Sequence, residues 1–485
     1  MPKIMTKPEK LIFFGLLFFQ IVLGLVFVFF RFVDADEGLY LNSAYLVKQG
    51  QTPYYDFFYP QAPLLPFVFA PIADWGINSL FLGRLISLLI SLILGLLLFF
   101  YYRRITTDSK SSLWLYFFYT FNGLFLVYHP VIKTYSWSDL FGFLSFIFLN
   151  KFLFFNQKKS TLFWAGLFIG LAFNFRATFL VIFLLEVVIV LFFSKIPNKF
   201  KSIFGFFSGV LISSIPSLIL FFKNPSVFIF NNFTYHQIWG KKVVQMGVMQ
   251  KILVLGKFIF YPQNLLLIFL AVLGIWWSFR NNFKPGKIAS IFAMVLVIVY
   301  FLATPTQFQY YEQALPYVLI LSTFGFSAIL NWLNRNRPHM NPLFKWGSGI
   351  YYLLTLIPFF LVFILGVRER DRFFKISEAK NVVSVIQSST TPQDKILSVW
   401  PGYLVFSKRE GIEGMQTCGY EVTLFLNENE VKSLNLAKQA EIEKILEARQ
   451  VKLVVVWEGG LEEFYPVIEK NYQLKTKIGK VSIYQ

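Results

Sequence analysis

The sequence predicts a polytopic α-helical membrane protein of about eleven spans, followed by a small C-terminal α/β domain. Of 485 residues, 56% are hydrophobic and the mean hydropathy is +0.57, which is too apolar for a soluble globular protein. Apolar segments of about 15 to 20 residues recur up to Gly366, between breaks rich in charge, Pro, Gly or Asn. After Gly366 the composition becomes that of an ordinary soluble chain. We therefore divide the chain into a membrane domain, 1–366, and a soluble tail domain, 367–485.

Charge and cysteine content exclude two classes of protein. The net charge is +19, but the basic residues are spread in small groups between apolar segments and form no face that could follow a phosphate backbone. We therefore exclude nucleic acid as a partner. A single cysteine, Cys418, excludes an intrachain disulfide and a cysteine-rich metal site.

The spans are assigned where long apolar segments lie between polar breaks. The predicted spans are 11–30, 80–102, 112–128, 138–155, 161–175, 177–193, 203–222, 264–279, 288–301, 314–333 and 347–366. The first segment is not a signal peptide, because it has the length of a span and no small-residue cleavage site follows it. Segments 61–75 and 249–262 are apolar but short or broken by proline, which suits helices lying in the membrane interface.

Loop charge predicts the orientation of the spans. Every second loop carries three basic residues: Lys3, Lys7 and Lys10; Arg103, Arg104 and Lys110; Lys151, Lys158 and Lys159; Lys195, Lys199 and Lys201; Arg280, Lys284 and Lys287; Arg335, Arg337 and Lys345. The positive-inside rule then places the N-terminus in the cytoplasm. We expect the protein to lie in the plasma (inner) membrane. Eleven spans put the first loop, 31–79, and the tail domain outside. The basic loop 223–262 is an exception, since long loops escape the rule and an external basic loop suits an anionic substrate.

The tail domain has the pattern of a small α/β unit. A charged run, 368–372, leads into predicted helices at 373–387, 437–448 and 461–470. Strands are predicted at 395–399 and 453–457, and 472–477 with 481–484 is predicted to form a hairpin. We identify no catalytic motif in this domain.

An acidic run directly after the first span is the clearest functional signal. Asp34, Asp36 and Glu37 lie at the edge of a hydrocarbon layer, where carboxylates are costly, in a domain with few acids. One interpretation is that they cap a helix beginning near Gly38, because Asp is a good N-cap. The segment that follows favours a catalytic interpretation. It contains a short predicted helix ending at Gly50, then Pro53-Tyr54-Tyr55-Asp56, then Ala62-Pro63-Leu64 before an apolar helix.

This arrangement resembles the first external loop of the GT-C glycosyltransferases. The similar branch contains the dolichyl-phosphate-mannose–protein mannosyltransferases and the lipid A aminoarabinose transferases. Motif-level matching covers about 34–71, and the family's Pro-Pro-Leu element is met only in part by Ala62-Pro63-Leu64. The resemblance implies a GT-C-like fold and makes Asp36 the catalytic base, with Glu37 and Asp139 as further catalytic candidates.

The implied activity is an inverting transfer of a hexose or pentose from a polyprenyl-phosphate-linked donor to a hydroxyl acceptor at the outer face. The acceptor is a lipid, a glycan or a protein. Such a reaction needs a carboxylate to take the hydroxyl proton and cations to stabilise the departing phosphate. We predict no metal ligand set and no required cofactor. A divalent cation remains an alternative, with His236 and Glu37 as ligands, although two ligands make a weak site.

Three cations are candidates for binding the donor phosphate. Arg176 joins two spans on the outer side with almost no loop, so it either faces the lipid phosphate or anchors the interface. Arg84 either binds phosphate or pairs with Asp36 or Asp139, and pairing is favoured. Lys133 either meets the phosphate or stays solvated, and solvation is favoured.

The remaining substrate-binding candidates are polar and aromatic residues of the external loops: Asp34, Tyr59, His236, Gln309 and Tyr310. For Tyr310, an aromatic belt at the interface is the alternative. For Asp139, the alternative is a helix N-cap, in competition with Ser138. Glu186 falls within a span and is expected to be buried and either protonated or hydrogen-bonded.

Two other functions compete with transfer. A lipid or glycan transporter or flippase would place ionisable residues inside the spans and repeat its halves. Here the acids cluster at one surface and no halves repeat. A non-catalytic scaffold whose tail binds a partner leaves the acidic run unexplained.

Overall fold

The computed structural model describes residues 5–155, 158–193, 199–367 and 373–485. Lys3, Lys195 and the charged run 368–372, which entered the topology and domain predictions, lie outside the described residues. The helices of the membrane domain are α1 Lys7–Phe30, α2 Ala35–Lys48, α3 Leu64–Phe69, α4 Asn78–Thr106, α5 Ser109–Thr120, α6 Gly123–Tyr128, α7 Tyr135–Phe154, α8 Lys159–Phe175, α9 Phe179–Val188, α10 Lys199–Lys223, α11 Pro225–Ile229, α12 Tyr235–Ile238, α13 Val248–Phe260, α14 Pro262–Arg280, α15 Lys284–Leu302, α16 Leu315–Asn336, α17 Met340–Leu354 and α18 Ile357–Phe363.

Local sequence explains where several of these helices begin. Thr6 and Glu9 form a reciprocal capping box at the start of α1, with Pro8 in its first turn. Asp108 caps α5, and the amide oxygen of Asn122 caps α6 by accepting two backbone N–H bonds. These caps satisfy backbone donors that a helix start leaves free.

The prediction that the chain contains several membrane-spanning helices is confirmed, although their exact number is not. Within the described residues, eight helices are long and apolar enough to cross a membrane. The other three predicted spans, 112–128, 161–175 and 177–193, fall on shorter helices, so the count of eleven stays a prediction. Segments Pro225–Val243 and Val248–Phe260 bend by 104° at their junction, as expected for a partly inserted or re-entrant element at 249–262.

Glycines bring two helix pairs into close contact. A Cβ at Gly166 of α8 would lie 1.9 Å from the backbone oxygen of Phe206 in α10, and one at Gly274 of α14 would lie 1.9 Å from that of Leu321 in α16. Small residues at such crossings allow helix backbones to approach in a membrane, where the hydrophobic effect does not hold helices together.

The tail domain is α/β, as predicted. Its helices are α19 Ile376–Ser389, α20 Pro401–Ser407, α21 Glu428–Ser433, α22 Gln439–Glu447 and α23 Tyr465–Asn471. Strands β3 Lys395–Ser398, β4 Glu410–Gly411, β5 Leu453–Trp457, β6 Leu474–Ile478 and β7 Val481–Tyr484 form one sheet in the order β4-β3-β5-β7-β6. β3 is parallel to β4 and β5, whereas β7 is antiparallel to β5 and β6, which confirms the predicted hairpin.

One short strand pair joins the two domains. β1 Val33–Asp34, at the end of the first span, pairs antiparallel with β2 Phe373–Phe374, at the start of the tail domain. Sequence analysis did not predict this pairing and assigned 373–374 to a helix. Because a hydrogen-bonded pair lies on one side of a membrane, the chain crosses it an even number of times between the two strands. Ten spans after the first one satisfy that condition.

The tail domain also shares its core with the first external loop. Tyr40, Leu41 and Tyr59 belong to the same buried apolar cluster as Val382 and Trp400. Side-chain hydrogen bonds cross the boundary, among them those from Trp400 Nε1 to the Ala35 oxygen (2.8 Å), Thr417 Oγ1 to the Phe58 oxygen (2.5 Å), Asn42 Nδ2 to the Gln416 oxygen (2.6 Å) and Asn435 Nδ2 to the Tyr55 oxygen (2.6 Å). Each of the two regions is therefore expected to stabilise the folded conformation of the other.

This interface generates the first prediction. An added Cβ at Gly38 would lie 2.4 Å from Trp400 Nε1 and 2.6 Å from the backbone nitrogen of Gly402. Gly38→Ala should therefore separate α2 from the tail domain at a cost of about 1–3 kcal/mol, as expected for overpacking. Thermal unfolding in nanodiscs should show a lower Tm, and limited proteolysis should release the tail domain sooner. Gly256→Ala, where nothing lies within 4 Å, is the matched control. Equal Tm values for the two variants would contradict this account of the interface.

Candidate active site

Helix α2 begins with the acidic run and is capped by it. Asp34 Oδ1 accepts from the backbone nitrogen of Asp36 (3.1 Å), while Glu37 Oε2 accepts from that of Asp34 (2.9 Å). In this reciprocal capping box, the two carboxylates accept hydrogen bonds from free backbone N–H groups at the helix start, and the helix dipole stabilises their negative charge. The expectation of a helix starting near Gly38 is wrong by three residues, since Asp34 is the cap and α2 begins at Ala35.

Glu37 is fully buried and holds Arg84. Arg84 Nε lies 2.7 Å from Glu37 Oε1 and Arg84 Nη2 lies 2.6 Å from Oε2, a bidentate pair in which both side chains are 0% exposed. Arg84 also donates to the backbone oxygens of Val28, Arg31 and Phe32. Pairing was favoured for Arg84, but its partner is Glu37 and not Asp36 or Asp139. This pair fixes α4 against the end of α1 and the start of α2.

Asp34 lies between two cations. Arg31 Nη2 is 3.0 Å from Asp34 Oδ2, and Lys133 Nζ is 2.9 Å from Asp34 Oδ1. Burial raises the pKa of Asp34, but the charges of Lys133 and Arg31 outweigh it and hold that pKa well below its ordinary value. Asp34 is therefore an ionised structural link in this cluster.

Lys133 connects this buried cluster to the one exposed acid of the run. Its Nζ lies 2.9 Å from Asp36 Oδ2, and the Asp36 side chain is 52% exposed whereas that of Asp34 is 7% exposed. Burial lowers the pKa of Lys133, but Asp34 and Asp36 outweigh it and raise that pKa well above its ordinary value. The favoured expectation that Lys133 is solvated is wrong, because its side chain is 4% exposed and paired with two carboxylates.

Arg176 lies nearby on a surface of tyrosine rings. Its Cζ is 4.6 Å from the ring centroid of Tyr135, 4.9 Å from that of Tyr310 and 5.7 Å from that of Tyr300. Its Nη1 donates to Thr134 Oγ1 (3.1 Å). Among the described residues, no carboxylate forms a salt bridge with Arg176, in contrast to Arg31, Arg84 and Lys133. Arg176 is therefore suited to receive an anion that the protein does not supply.

Tyr135 links the two cations. Its ring centroid is 5.7 Å from Lys133 Nζ and 4.6 Å from Arg176 Cζ. Tyr310 packs against Tyr300 in a tilted arrangement, with their ring centroids 5.7 Å apart, and lies within electrostatic reach of Asp36. Of the residues predicted for the site, the structure thus brings together Asp36, Lys133, Arg176 and Tyr310. Tyr135 was missed because an interfacial tyrosine is ordinarily part of an aromatic belt.

Three further predicted substrate-binding residues are Tyr59, His236 and Gln309, and His236 lies beside the backbone of Pro60, next to Tyr59. Tyr59 is buried, and its backbone nitrogen donates to Asn231 Oδ1 (3.1 Å). His236 is half-buried beside Tyr235, and Gln309 bonds to Gln307. For these three residues the substrate-binding assignment stays a prediction.

Asp139 lies inside the helical body, where it is 2% exposed, and not at the exposed part of the site. Its Oδ1 accepts from Gln313 Nε2 (3.2 Å), and its Oδ2 is 3.3 Å from His129 Nε2. Asp139 is not the cap of α7, which has Thr134 at that position. Glu186 is buried and bonded to Ser145 Oγ (2.7 Å), which confirms the expectation for that residue.

Within the described residues, one group of three metal-ligating side chains lies close together: His129, Asp139 and Glu312. Both oxygens of Glu37 are bonded to Arg84. The His236–Glu37 metal site stays a sequence-based alternative.

The tail domain contacts the loop 31–79 beside the site. Thr417 is bonded to the first external loop at Phe58, and the adjacent Cys418 lies within electrostatic reach of Asp36. Gly419 has φ +104°, a left-handed conformation, and a Cβ there would lie 2.4 Å from the ring of Phe58. Sequence analysis placed no functional residue in the tail domain, and this contact was missed.

Comparison with known proteins identifies the fold. No protein-family model matches the sequence. No curated protein matches it either. Among solved structures, the aminoarabinose transferase ArnT from Cupriavidus metallidurans bound to undecaprenyl phosphate is similar, with a TM-score of 0.67, 13% identity and coverage of 96% of each chain. Its apo state gives 0.66 and 12%, again over 96% of each chain.

A second similar structure is the archaeal oligosaccharyltransferase AglB from Archaeoglobus fulgidus, in complex with an inhibitory peptide and a dolichol-phosphate. Its TM-score is 0.52 and its identity 11%, over 91% of this chain and 69% of that one. At these identities the likeness concerns the fold. The chain therefore has a GT-C membrane fold, and the resemblance drawn from the first external loop is confirmed at that level.

The buried cations generate the second prediction. Asp34→Asn leaves Arg31 without its carboxylate and removes one of the two carboxylates of Lys133, which should cost about 3 kcal/mol or more. Because the folded-state pKa of Asp34 is depressed, its contribution is fully present above the unfolded pKa of about 4 and is lost as the pH falls below it. The Tm difference between wild type and Asp34→Asn should therefore stay constant from about pH 8 to pH 5 and narrow below about pH 4.

Asp74→Asn is the control for this prediction. Asp74 forms a surface pair with Lys48 and is 41% exposed, so its loss should cost less than about 1 kcal/mol. An Asp34→Asn protein as stable as Asp74→Asn at pH 7 would show that the buried pairs do not support the site.

Proposed function

We propose that this chain is an inverting membrane glycosyltransferase. It transfers a sugar from a polyprenyl-phosphate-linked donor to a hydroxyl acceptor at the outer face of the membrane. The observation that carries the proposal is the exposed carboxylate of Asp36, bound by Lys133, beside the cation Arg176, which has no carboxylate partner among the described residues.

Asp36 is the proposed general base. It accepts the proton of the acceptor hydroxyl while the acceptor oxygen attacks the anomeric carbon. The bond from that carbon to the phosphate oxygen breaks, and its electron pair leaves with the polyprenyl phosphate. A single displacement of this kind inverts the anomeric configuration. A well-placed base contributes about 10²–10⁴-fold to the rate.

Lys133 and Glu37 are proposed as positioning residues. The charge-assisted bond from Lys133 fixes the orientation of the Asp36 carboxylate. Glu37 and Asp34 are committed to Arg84 and Arg31, and they hold the first turn of α2 in place. Of the catalytic candidates Asp36, Glu37 and Asp139, the geometry thus supports Asp36 as the group that meets the acceptor.

Arg176 is the proposed site for the donor phosphate. Its guanidinium is planar and can make paired hydrogen bonds to phosphate oxygens. The rings of Tyr135, Tyr300 and Tyr310 hold it in position, so little side-chain freedom is lost when an anion binds. As charge grows on the departing phosphate, this fixed cation stabilises it.

The fold comparisons support the donor class. One similar structure is bound to undecaprenyl phosphate and another to a dolichol-phosphate, and both belong to transferases. The transporter alternative gains no support from them. The outer-face location, with a cytoplasmic N-terminus in the plasma (inner) membrane, rests on the loop charges together with the β1–β2 pair, which places the tail domain on the side of Asp36.

The base assignment generates a third prediction. Asp36→Asn should lower kcat by about 10²–10⁴-fold with little change in the KM for the donor, because the base acts in the transition state. The assay supplies purified protein in nanodiscs with a panel of polyprenyl-phosphate sugars and follows product release. Asp74→Asn, in the same external loop, should retain wild-type kcat. The Tm of Asp36→Asn should stay close to that of wild type, and near-normal turnover in a folded Asp36→Asn protein would refute the assignment.

The phosphate site generates a fourth prediction. Arg176→Gln should raise the KM for the donor, or the Kd for polyprenyl phosphate, by about tenfold to a hundredfold, because charged hydrogen bonds contribute about 1.5–3 kcal/mol. Arg176→Lys keeps the charge but loses the planar geometry, so its effect should be intermediate. Arg280→Gln, an exposed arginine over Trp276, should leave the affinity unchanged. Equal affinity in the two glutamine variants would remove Arg176 from the phosphate site.

A further inference from the structure

Three metal-ligating side chains meet inside the membrane domain, away from the exposed carboxylate. His129 follows α6, Asp139 lies in the first turns of α7, and Glu312 lies in the 3-10 helix Phe308–Ala314 that precedes α16. Their ligand atoms all lie within 4.8 Å of one another, and the side chains are 0% exposed for His129, 2% for Asp139 and 0% for Glu312. We call these three residues the buried triad.

Two carboxylate oxygens of the buried triad have unmet bonding capacity. Asp139 Oδ2 and Glu312 Oε1 are buried and make no hydrogen bond within the described part of the chain. His129 Nε2 lies 3.3 Å from Asp139 Oδ2 and 3.0 Å from Glu312 Oε2. Buried polar oxygens are nearly always satisfied, so the two oxygens without a hydrogen bond have room for a ligand between the three side chains.

The hydrogen bonds around His129 turn its Nε2 toward the two carboxylates. Tyr119 donates its hydroxyl proton to the backbone oxygen of Ser91 (2.7 Å), so the Ser91 hydroxyl, 2.9 Å from Tyr119 Oη, donates to Tyr119. Ser91 Oγ is then an acceptor for the N–H of His129 Nδ1, 3.2 Å away. With Nδ1 directed at Ser91, Nε2 is the ring nitrogen that faces Asp139 and Glu312. Metal-bound histidines are commonly oriented by such a bond from their other nitrogen.

We propose that the buried triad binds one divalent transition-metal ion of the zinc or manganese type. Its ligands are His129 Nε2 and one oxygen each from Asp139 and Glu312. In a tetrahedral site with bonds of about 2.0–2.2 Å, neighbouring ligand atoms lie about 3.3–3.6 Å apart. His129 Nε2 is 3.0 Å from Glu312 Oε2 and 3.3 Å from Asp139 Oδ2, so small side-chain adjustments accommodate the ion. One nitrogen and two oxygens suit zinc or manganese better than calcium.

The proposed ion has a structural role. It joins the end of α6 to α7 and to the 3-10 helix before α16. Of these segments, α7 carries Tyr135 and the 3-10 helix carries Tyr310, two of the rings that lie against Arg176. Gln313 Nε2 donates to Asp139 Oδ1 (3.2 Å) and orients that carboxylate as a supporting partner. Asp36 contributes no ligand, so metal binding here is separate from the transfer reaction. This proposal replaces the sequence-based expectation that the chain has no metal ligands.

Elemental analysis of the purified full chain in nanodiscs is the first test. After gel filtration in metal-free buffer, wild type should retain about one zinc- or manganese-type ion per chain. Glu312→Gln and His129→Gln should retain at least tenfold less. Asp36→Asn should keep the ion, which separates this site from the acidic run at the surface. Glu186→Gln is the matched control, since Glu186 is an equally buried acid bonded to Ser145.

Thermal unfolding of the wild-type protein provides a second test, which does not require any variant to fold. Wild type stripped with a chelator should gain Tm when zinc or manganese chloride is titrated back, because an ion that binds only the folded chain stabilises it. The Tm of folded Glu312→Gln should not respond. The proposal would be overturned if wild-type protein held less than about a tenth of an equivalent of metal and its Tm did not rise when metal was added. Bound protons would then be the positive charge that neutralises the buried triad. Neither measurement involves sugar transfer, so failure here is distinct from failure of the proposed activity.

Discussion

The site depends on the neutralisation of buried charge at the start of α2. Arg84 and Glu37 are both fully buried and bidentate, and Arg31, Asp34 and Lys133 continue the cluster toward the surface. Removing one partner from such a cluster leaves an uncompensated charge in a site of low polarity, so its members are fixed together. These ion pairs therefore hold the first turn of α2 in one position. Asp36 projects from this turn into solvent, with Lys133 on one side.

The tail domain adds a second constraint on the same turn of α2. β2 pairs with β1 at Asp34 itself, and Trp400 Nε1 bonds to the backbone oxygen of Ala35 in the same turn. The turn that carries Asp36 is thus held by ion pairs on its membrane side and by backbone and indole hydrogen bonds from the tail domain. A soluble domain without a catalytic motif still determines the position of the proposed base, because it supplies part of the packing around α2.

Whether a feature was predictable from the sequence depends on how far apart its interacting residues lie along the chain. The spans, the tail strands at 395–399 and 453–457 and the cap at the acidic run depend on neighbouring residues, so periodicity and local spacing reveal them. The β1–β2 pair joins residues more than 300 positions apart and consists of two residues from each strand, which leaves no local pattern. Lys133 was assigned to solvent because a single loop lysine has no distinguishing context in sequence. His129 and Glu312 were missed as a pair for the same reason, since 183 positions separate them.

The charge balance of the site connects its structure to the proposed reaction. Among the described residues, Arg31, Arg84 and Lys133 are paired with Asp34, Asp36 and Glu37, whereas the neighbours of Arg176 are tyrosine rings instead of carboxylates. A phosphodiester donor carries one negative charge and so complements the site while Asp36 remains ionised. When the sugar leaves, the phosphate gains a second negative charge as Asp36 gains a proton, so the summed charge of protein and bound phosphate stays constant through the transfer. Such conservation of charge within one site limits the solvent reorganisation that the reaction requires.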